Sequence, residues 1–242
     1  MGHSGLRIAL LDTSDSPFTE RNFRRELDAD LVEYDVAGGE LPAHHDFDAA
    51  VVTGSEASVY GDEPWIDGLL SWLETAHERS MPLLGVCFGH QAVAAALGGE
   101  VADMGADTFE LGYREVAHDG GVLFEGIDER FTVFVTHGDE VVTLPPGAEP
   151  LAENDRSLHA FRKDEAWGMQ FHPEYDLETA REVASGKDDE LPADEFEAAL
   201  DTITAEGFDA ACEAKQLFEN FTDFVAARRP VETADGTGAA GD

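Results

Sequence analysis

One stretch limits the possible folds more than any other: MPLLGVCFGHQAVAAALGG, residues 81–99. A short apolar run enters Cys87, which stands between Gly85 and Gly89, and passes at once into an alanine-rich segment closed by Gly98-Gly99. The apolar run has the length of a buried strand, and the closing glycines stop a short helix. A strand that meets its helix without a loop is half of a βα unit, and such units belong to parallel sheets. The upstream segments repeat the alternation. LRIALLD (6–12), DLVEYDV (30–36) and DFDAAVVTGS (46–55) read as strands, with a polar crossover helix between the first two. EPWIDGLLSWLETAHERS (63–80) places Trp65, Leu69, Trp72, Leu73 and Ala76 at helical spacing. The expectation is an α/β fold with a doubly wound, mostly parallel sheet and flanking helices.

The middle of the chain is less regular. GYREVAHD, RFTVFVTHGDEVVTLP, HAFRKDE and AWGMQFHPEY read as strands separated by turns. From 176 to 228 the pattern is helical, with a polar break near SGKDDELPAD. This helical extension is assigned to a single domain, 1–229, and the polar, acidic remainder (230–242) to a disordered tail.

The 242 residues suffice for one α/β domain with a substantial core. Acid dominates: 52 acidic against 15 basic residues give a net charge of −37, and only Lys163, Lys187 and Lys215 are lysines. A surface of that sign repels phosphates, so nucleic acid is not an expected partner. Because the acids are dispersed and lysine is scarce, the composition is that of a chain adapted to high salt, where counterions screen self-repulsion. No apolar run reaches the length of a membrane span, and the first residues lack the pattern of a signal peptide. Neither a membrane partner nor a compartment other than the cytoplasm is expected. The two cysteines, Cys87 and Cys212, are too few for a zinc site of their own, and no Walker A loop occurs, so no metal or cofactor is expected.

Chemistry concentrates where strands end. Gly85-Val86-Cys87-Phe88-Gly89 has the layout of a nucleophile elbow, a sharp turn that presents a side chain to solvent at a helix N-terminus. Free N–H groups and the positive dipole end there favour thiolate over thiol. Read alone, the pattern could equally be a buried cysteine ending a core strand. A cysteine nucleophile needs a base. His90 lies on the same helix and is expected near the site without serving as base. His3, His44, His45, His77, His118 and His159 have no telling context. His172 ends the apolar WGMQF run and is followed by Pro173-Glu174, so Glu174 could orient its ring.

Strand-Cys-helix followed 85 residues later by strand-His-Pro-Glu resembles the class I, or triad, glutamine amidotransferases. TGSEASVYGDEPWI (53–66) is similar to the family's segment ending the third strand, and THGDEV (136–141) to the His-Gly-Asp segment of the glutaminase part of GMP synthase. The resemblance runs from about Leu6 to Glu174. It implies a flavodoxin-like fold, Cys87 as nucleophile, His172 as base and acid, and Glu174 as its orienting partner. It implies an oxyanion hole from the backbone N–H groups of Gly54 and Phe88. Gln91, Gly138 and Asp139 would hold the amino-acid end of glutamine. No synthetase-type segment follows within the 242 residues, so the ammonia acceptor is expected on a separate synthetase chain. Two alternatives stay open: a stand-alone γ-glutamyl peptidase using the same acyl-enzyme chemistry, and a non-catalytic regulatory domain on the same fold.

Overall fold

A computed structural model describes residues 5–105 and 108–229; the tail expected at 230–242 lies outside the described residues. The first half alternates as expected: β1 (Arg7–Asp12), α1 (Thr19–Glu26), β2 (Asp30–Asp35), β3 (Ala49–Val52), α2 (Ile66–Glu78), β4 (Leu83–Val86) and α3 (Phe88–Ala96). Strands dominate next: β5 (Glu100–Asp103), β6 (Glu110–His118), β7 (Arg130–His137), β8 (Asp139–Thr143), β9 (Glu149–Glu153), β10 (Leu158–Lys163) and β11 (Ala166–Met169). Four helices close the described chain: α4 (Leu177–Ser185), α5 (Ala193–Thr202), α6 (Ala205–Ala211) and α7 (Gln216–Arg228).

The main sheet has nine strands in the order β2-β1-β3-β4-β11-β10-β9-β6-β7. Its first five strands run parallel, the 2-1-3-4-5 order of a flavodoxin-like fold, and its far half is antiparallel. Alternation along β1 explains the double winding. Ile8 and Leu10 point to the face covered by Phe23 of α1 and Phe218 and Phe221 of α7. Ala9 and Leu11 point to the opposite face, under Leu69 and Leu73 of α2 and Val93 of α3. Each of these large apolar side chains is fully shielded, which contributes about 1.5–3 kcal/mol apiece.

The antiparallel half departs from expectation. RFTVFVTHGDEVVTLP is not one strand. Met104 N–H donates to the Gly138 carbonyl at 2.8 Å and draws the chain away from the main sheet, so β8 pairs with β5 in a separate two-stranded ribbon. Neither β5 (EVAD) nor β9 (EPLAE) is signalled by the sequence, because each is short, polar and weak in β-formers. The helical extension breaks where anticipated, between Gly186 and Pro192, and its apolar side chains pack on the domain itself. Ile203, Leu217 and Phe221 are buried, whereas Leu200 faces solvent.

Candidate functional site

The register of β11 against β4 builds the site. Gly168 lies beside Gly85 and Met169 beside Val86, and Cys87 N–H donates to the Met169 carbonyl at 2.8 Å. The residues that follow both strands therefore emerge side by side at the carboxyl edge of the sheet, where α/β folds collect their ligands.

Cys87 stands between β4 and α3 with φ 52° and ψ −107°, a left-handed conformation that costs a non-glycine residue on the order of 1–3 kcal/mol. The flanking glycines make the turn possible. A Cβ on Gly85 would lie 2.1 Å from the Gly89 carbonyl oxygen, and one on Gly89 would lie 2.3 Å from that of Val52. Contrary to the expectation of a solvent-facing turn, the cysteine is only 6% exposed. The Gln170 amide donates to its Sγ at 3.6 Å, and the Thr136 carbonyl lies 3.7 Å from it.

His172 is buried as well, anchored by its backbone N–H to the Phe134 carbonyl at 2.9 Å. Its Nδ1 lies 2.7 Å from a Glu174 carboxylate oxygen, which assigns the ring proton to that nitrogen. The Tyr175 ring stacks on the imidazole at 4.2 Å. Nε2 has no hydrogen-bond partner among the described residues. Burial alone would lower the affinity of this ring for a proton, but the negative charges of Glu174 and Cys87 outweigh it and push its pKa up to about 10. The turn behind Glu174 is clamped by α1: Arg25 donates to the Glu174 carbonyl and, at 3.0 Å, to Asp176, which Arg21 also meets at 2.9 Å.

The remaining expected site residues converge on the same edge. Gly54 packs against both partners, since a Cβ there would lie 3.6 Å from Cys87 Cβ and 2.9 Å from His172 Cε1. Phe88 opens α3, where the backbone N–H has no acceptor within the helix. Gln91 is buried and donates to the Asp139 carbonyl at 3.2 Å and to Gln170 Oε1 at 3.1 Å. The Asp139 carboxylate accepts from Ser58 at 2.6 Å and from Tyr60 at 2.7 Å, tying the β3–α2 loop across the site. The carbonyls of Gly138 and Asp139 are thus already engaged inside the protein. His90 points away into the core against Phe161, and burial lowers its pKa to about 3.

Two features escape a reading of the sequence. Gln170 links Gln91 to the Cys87 sulfur; an amide inside the apolar run WGMQF is its only signal. The second is a buried cluster of Glu110, His137 and His159. Glu110 Oε2 lies 3.2 Å from Nε2 of each histidine. Burial favours the neutral carboxyl, yet contacts from His137 and His159 hold Glu110 well below the usual carboxylate range. The signal is an ionisable residue in each of the apolar contexts FELGY and LHAF.

Comparison with known proteins converges on one family. The family model described as "Glutamine amidotransferase class-I" matches residues 19–185. The "GMP synthase [glutamine-hydrolyzing]" of Thermomicrobium roseum is 36% identical over 172 residues, covering 69% of this chain and 31% of that protein. The protein of the same description from Nitrosomonas eutropha is 37% identical over 136 residues, covering 51% and 25%. The chain thus spans between a quarter and a third of the length of these relatives. Among solved structures, a glutamine amidotransferase from Thermotoga maritima shares the fold with a TM-score of 0.75 at 23% identity, covering 90% of this chain and 98% of its own. A glutamine amidotransferase from Methylobacillus flagellatus does so with a TM-score of 0.71 at 21% identity, covering 90% and 94%. With the family model spanning most of the chain, and its strand order and strand-end cysteine in place, the protein belongs to the class I glutamine amidotransferases.

Proposed function

We propose that this chain hydrolyses the side-chain amide of glutamine through a Cys87 acyl-enzyme and releases ammonia to an acceptor reaction on a separate synthetase chain. The observation that carries the reading is the Cys87–His172–Glu174 alignment: a nucleophile on a strained turn, an imidazole with unpartnered Nε2, and a carboxylate at 2.7 Å from Nδ1.

The chemistry follows from these groups. The Cys87 thiolate attacks the amide carbon, and the carbonyl electron pair moves onto oxygen, where the backbone N–H groups of Gly54 and Phe88 receive the charge. Protonated His172 gives its Nε2 proton to the amide nitrogen, the C–N bond breaks, and ammonia leaves a thioester on Cys87. Water then attacks the thioester while His172 Nε2 takes its proton; the C–S bond breaks, glutamate departs, and the thiolate–imidazolium pair is restored. Glu174 keeps the proton on Nδ1 and stabilises the imidazolium throughout. Gln91 spends its amide hydrogens on Asp139 and Gln170, which leaves its Oε1 to accept from the substrate's α-ammonium. Gly138 and Asp139 frame the same end of the pocket. The likeness to glutamine-hydrolysing GMP synthases supports glutamine as substrate and a synthetase as consumer of the ammonia.

Steady-state kinetics on the purified chain test this reading, with glutamine and γ-glutamyl peptides compared in molar salt. Glutamine should be hydrolysed, and Cys87→Ala should lose at least ~10⁴-fold in turnover while remaining folded. Efficient cleavage of γ-glutamyl peptides with glutamine ignored would point instead to a stand-alone peptidase. Turnover retained in Cys87→Ala would remove the nucleophile assignment.

A further inference from the structure

Behind the His-Gly-Asp segment, three strands bring Glu110 (β6), His137 (β7) and His159 (β10) together with essentially no solvent access. We propose that these three side chains form a binding site for one zinc-class divalent cation, separate from the Cys87 site.

The spacing is that of a coordination shell. One ligand atom from each residue lies within 4.8 Å of the others, and both imidazole Nε2 atoms sit 3.2 Å from Glu110 Oε2. A tetrahedral centre with bonds of ~2.0–2.1 Å separates its ligand atoms by about 3.3 Å. The donor set, two imidazoles and one carboxylate, suits zinc.

The tautomer of His137 carries the argument further. Its Nδ1 lies 3.0 Å from the Asp139 carbonyl, an acceptor only, so Nδ1 bears the proton. Nε2 then directs a lone pair into the cluster. It has no hydrogen-bond partner among the described residues although the side chain is only 2% exposed, so its approach to Oε2 is close without being aligned as a hydrogen bond. A nitrogen lone pair held 3.2 Å from a carboxylate oxygen with no hydrogen bond between them is a contact that a shared cation would relieve.

The contacts of His137 and Glu110 match those that orient metal ligands, whereas His159 Nδ1 has no hydrogen-bond partner among the described residues and that side of the ring is held by packing alone. The second nitrogen of His137 donates to a backbone carbonyl, and Glu110 Oε1 accepts from Asn154 at 2.7 Å. The Ser157 hydroxyl lies 2.8 Å from Glu110 Oε2 and 3.3 Å from His159 Nε2, closing the remaining side of the shell. The net charge of −37 further favours accumulation of cations. A bound cation would pin β6, β7 and β10 together and hold His137, and through it the Asp139 carbonyl.

The test is cobalt(II) titration of the full chain carrying Cys87→Ala and Cys212→Ala, which removes thiol ligands, in molar KCl to suppress loose binding by surface carboxylates. Stoichiometric binding of one cobalt(II) with the visible absorption of a tetrahedral nitrogen–oxygen site is expected, displaced by zinc(II) and accompanied by a higher melting temperature. His159→Ala should abolish that absorption. Should His159→Ala fail to fold, Asn154→Asp, which keeps the side-chain oxygen that accepts from the Arg156 and Ser157 backbone N–H groups but loses the donor to the outer carboxylate oxygen, should weaken binding by about 10- to 100-fold. Absence of a tetrahedral cobalt spectrum, or binding unchanged in both variants, overturns the proposal and leaves the cluster held by protons alone.

Discussion

The pressure on single positions is greatest at the contact between Gly54 and His172. A methyl group on Gly54 would stand 2.9 Å from His172 Cε1, so the imidazole would have to move. On the mechanism proposed above, Gly54→Ala should lower turnover of glutamine by about 10- to 100-fold through displacement of His172, with little change in melting temperature. Steady-state kinetics alongside thermal melts would separate the two effects. The elevated proton affinity of His172 makes a second prediction. A group whose pKa is raised on folding stabilises the native state fully below its unfolded value of about 6.5. That contribution is lost as pH rises through the folded value of about 10. The stability penalty of His172→Gln should accordingly be largest below neutrality and shrink towards pH 10, as read from denaturant melts of both proteins across that range. A constant penalty would mean that Glu174 and Cys87 do not hold the proton on this ring.

Among the elements, α7 ties the helical extension to the sheet. Phe218 is fully buried and meets Phe23 of α1 edge-to-face at 5.9 Å, while Phe221 lies 6.1 Å from the Trp167 ring of β11. The helix thus braces both α1, whose arginines grip the Glu174–Asp176 turn, and the strand that leads into His172. Phe218→Ala should cost about 3–5 kcal/mol of stability, measured by chemical denaturation. The other helices of the extension serve the antiparallel half. Ala180 and Ala184 of α4, with Ala199 and Ile203 nearby, cover Leu111, Tyr113 and Phe134. Phe134 is also the residue whose carbonyl holds the His172 backbone, so this packing reaches the site through one strand.

For the molecule as a whole, charge is the dominant variable. Surface ion pairs such as Lys187–Glu56 and Arg130–Glu115 are exposed and contribute little each. They cannot offset the mutual repulsion of a chain carrying −37. Raising salt to about 1 M shortens the screening length to about 3 Å and removes most of that repulsion. The melting temperature should rise steeply from dilute buffer to molar KCl. A melting temperature that is flat or falling over this range would show that the acidic surface is not a salt adaptation.

Local pattern was enough to reveal the βα alternation, the cysteine turn and the His-Pro-Glu strand end. Each depends on short-range rules: apolar run length, glycine at a crowded turn, a polar residue where a buried strand stops. The same rules located the break in the helical extension and failed at β5 and β9, whose residues have little preference for strand and pair only because neighbours offer open edges. Nor could they see that the chain leaves the main sheet at Gly138, a choice made by the Met104 hydrogen bond from another segment. Gln170 at the cysteine sulfur and the Glu110–His137–His159 cluster were out of reach for the same reason. Their partners lie on other elements, as far as 83 residues away in sequence. What an ionisable or amide group does when buried depends on which groups the sheet register sets against it, and that register is a property of the folded chain.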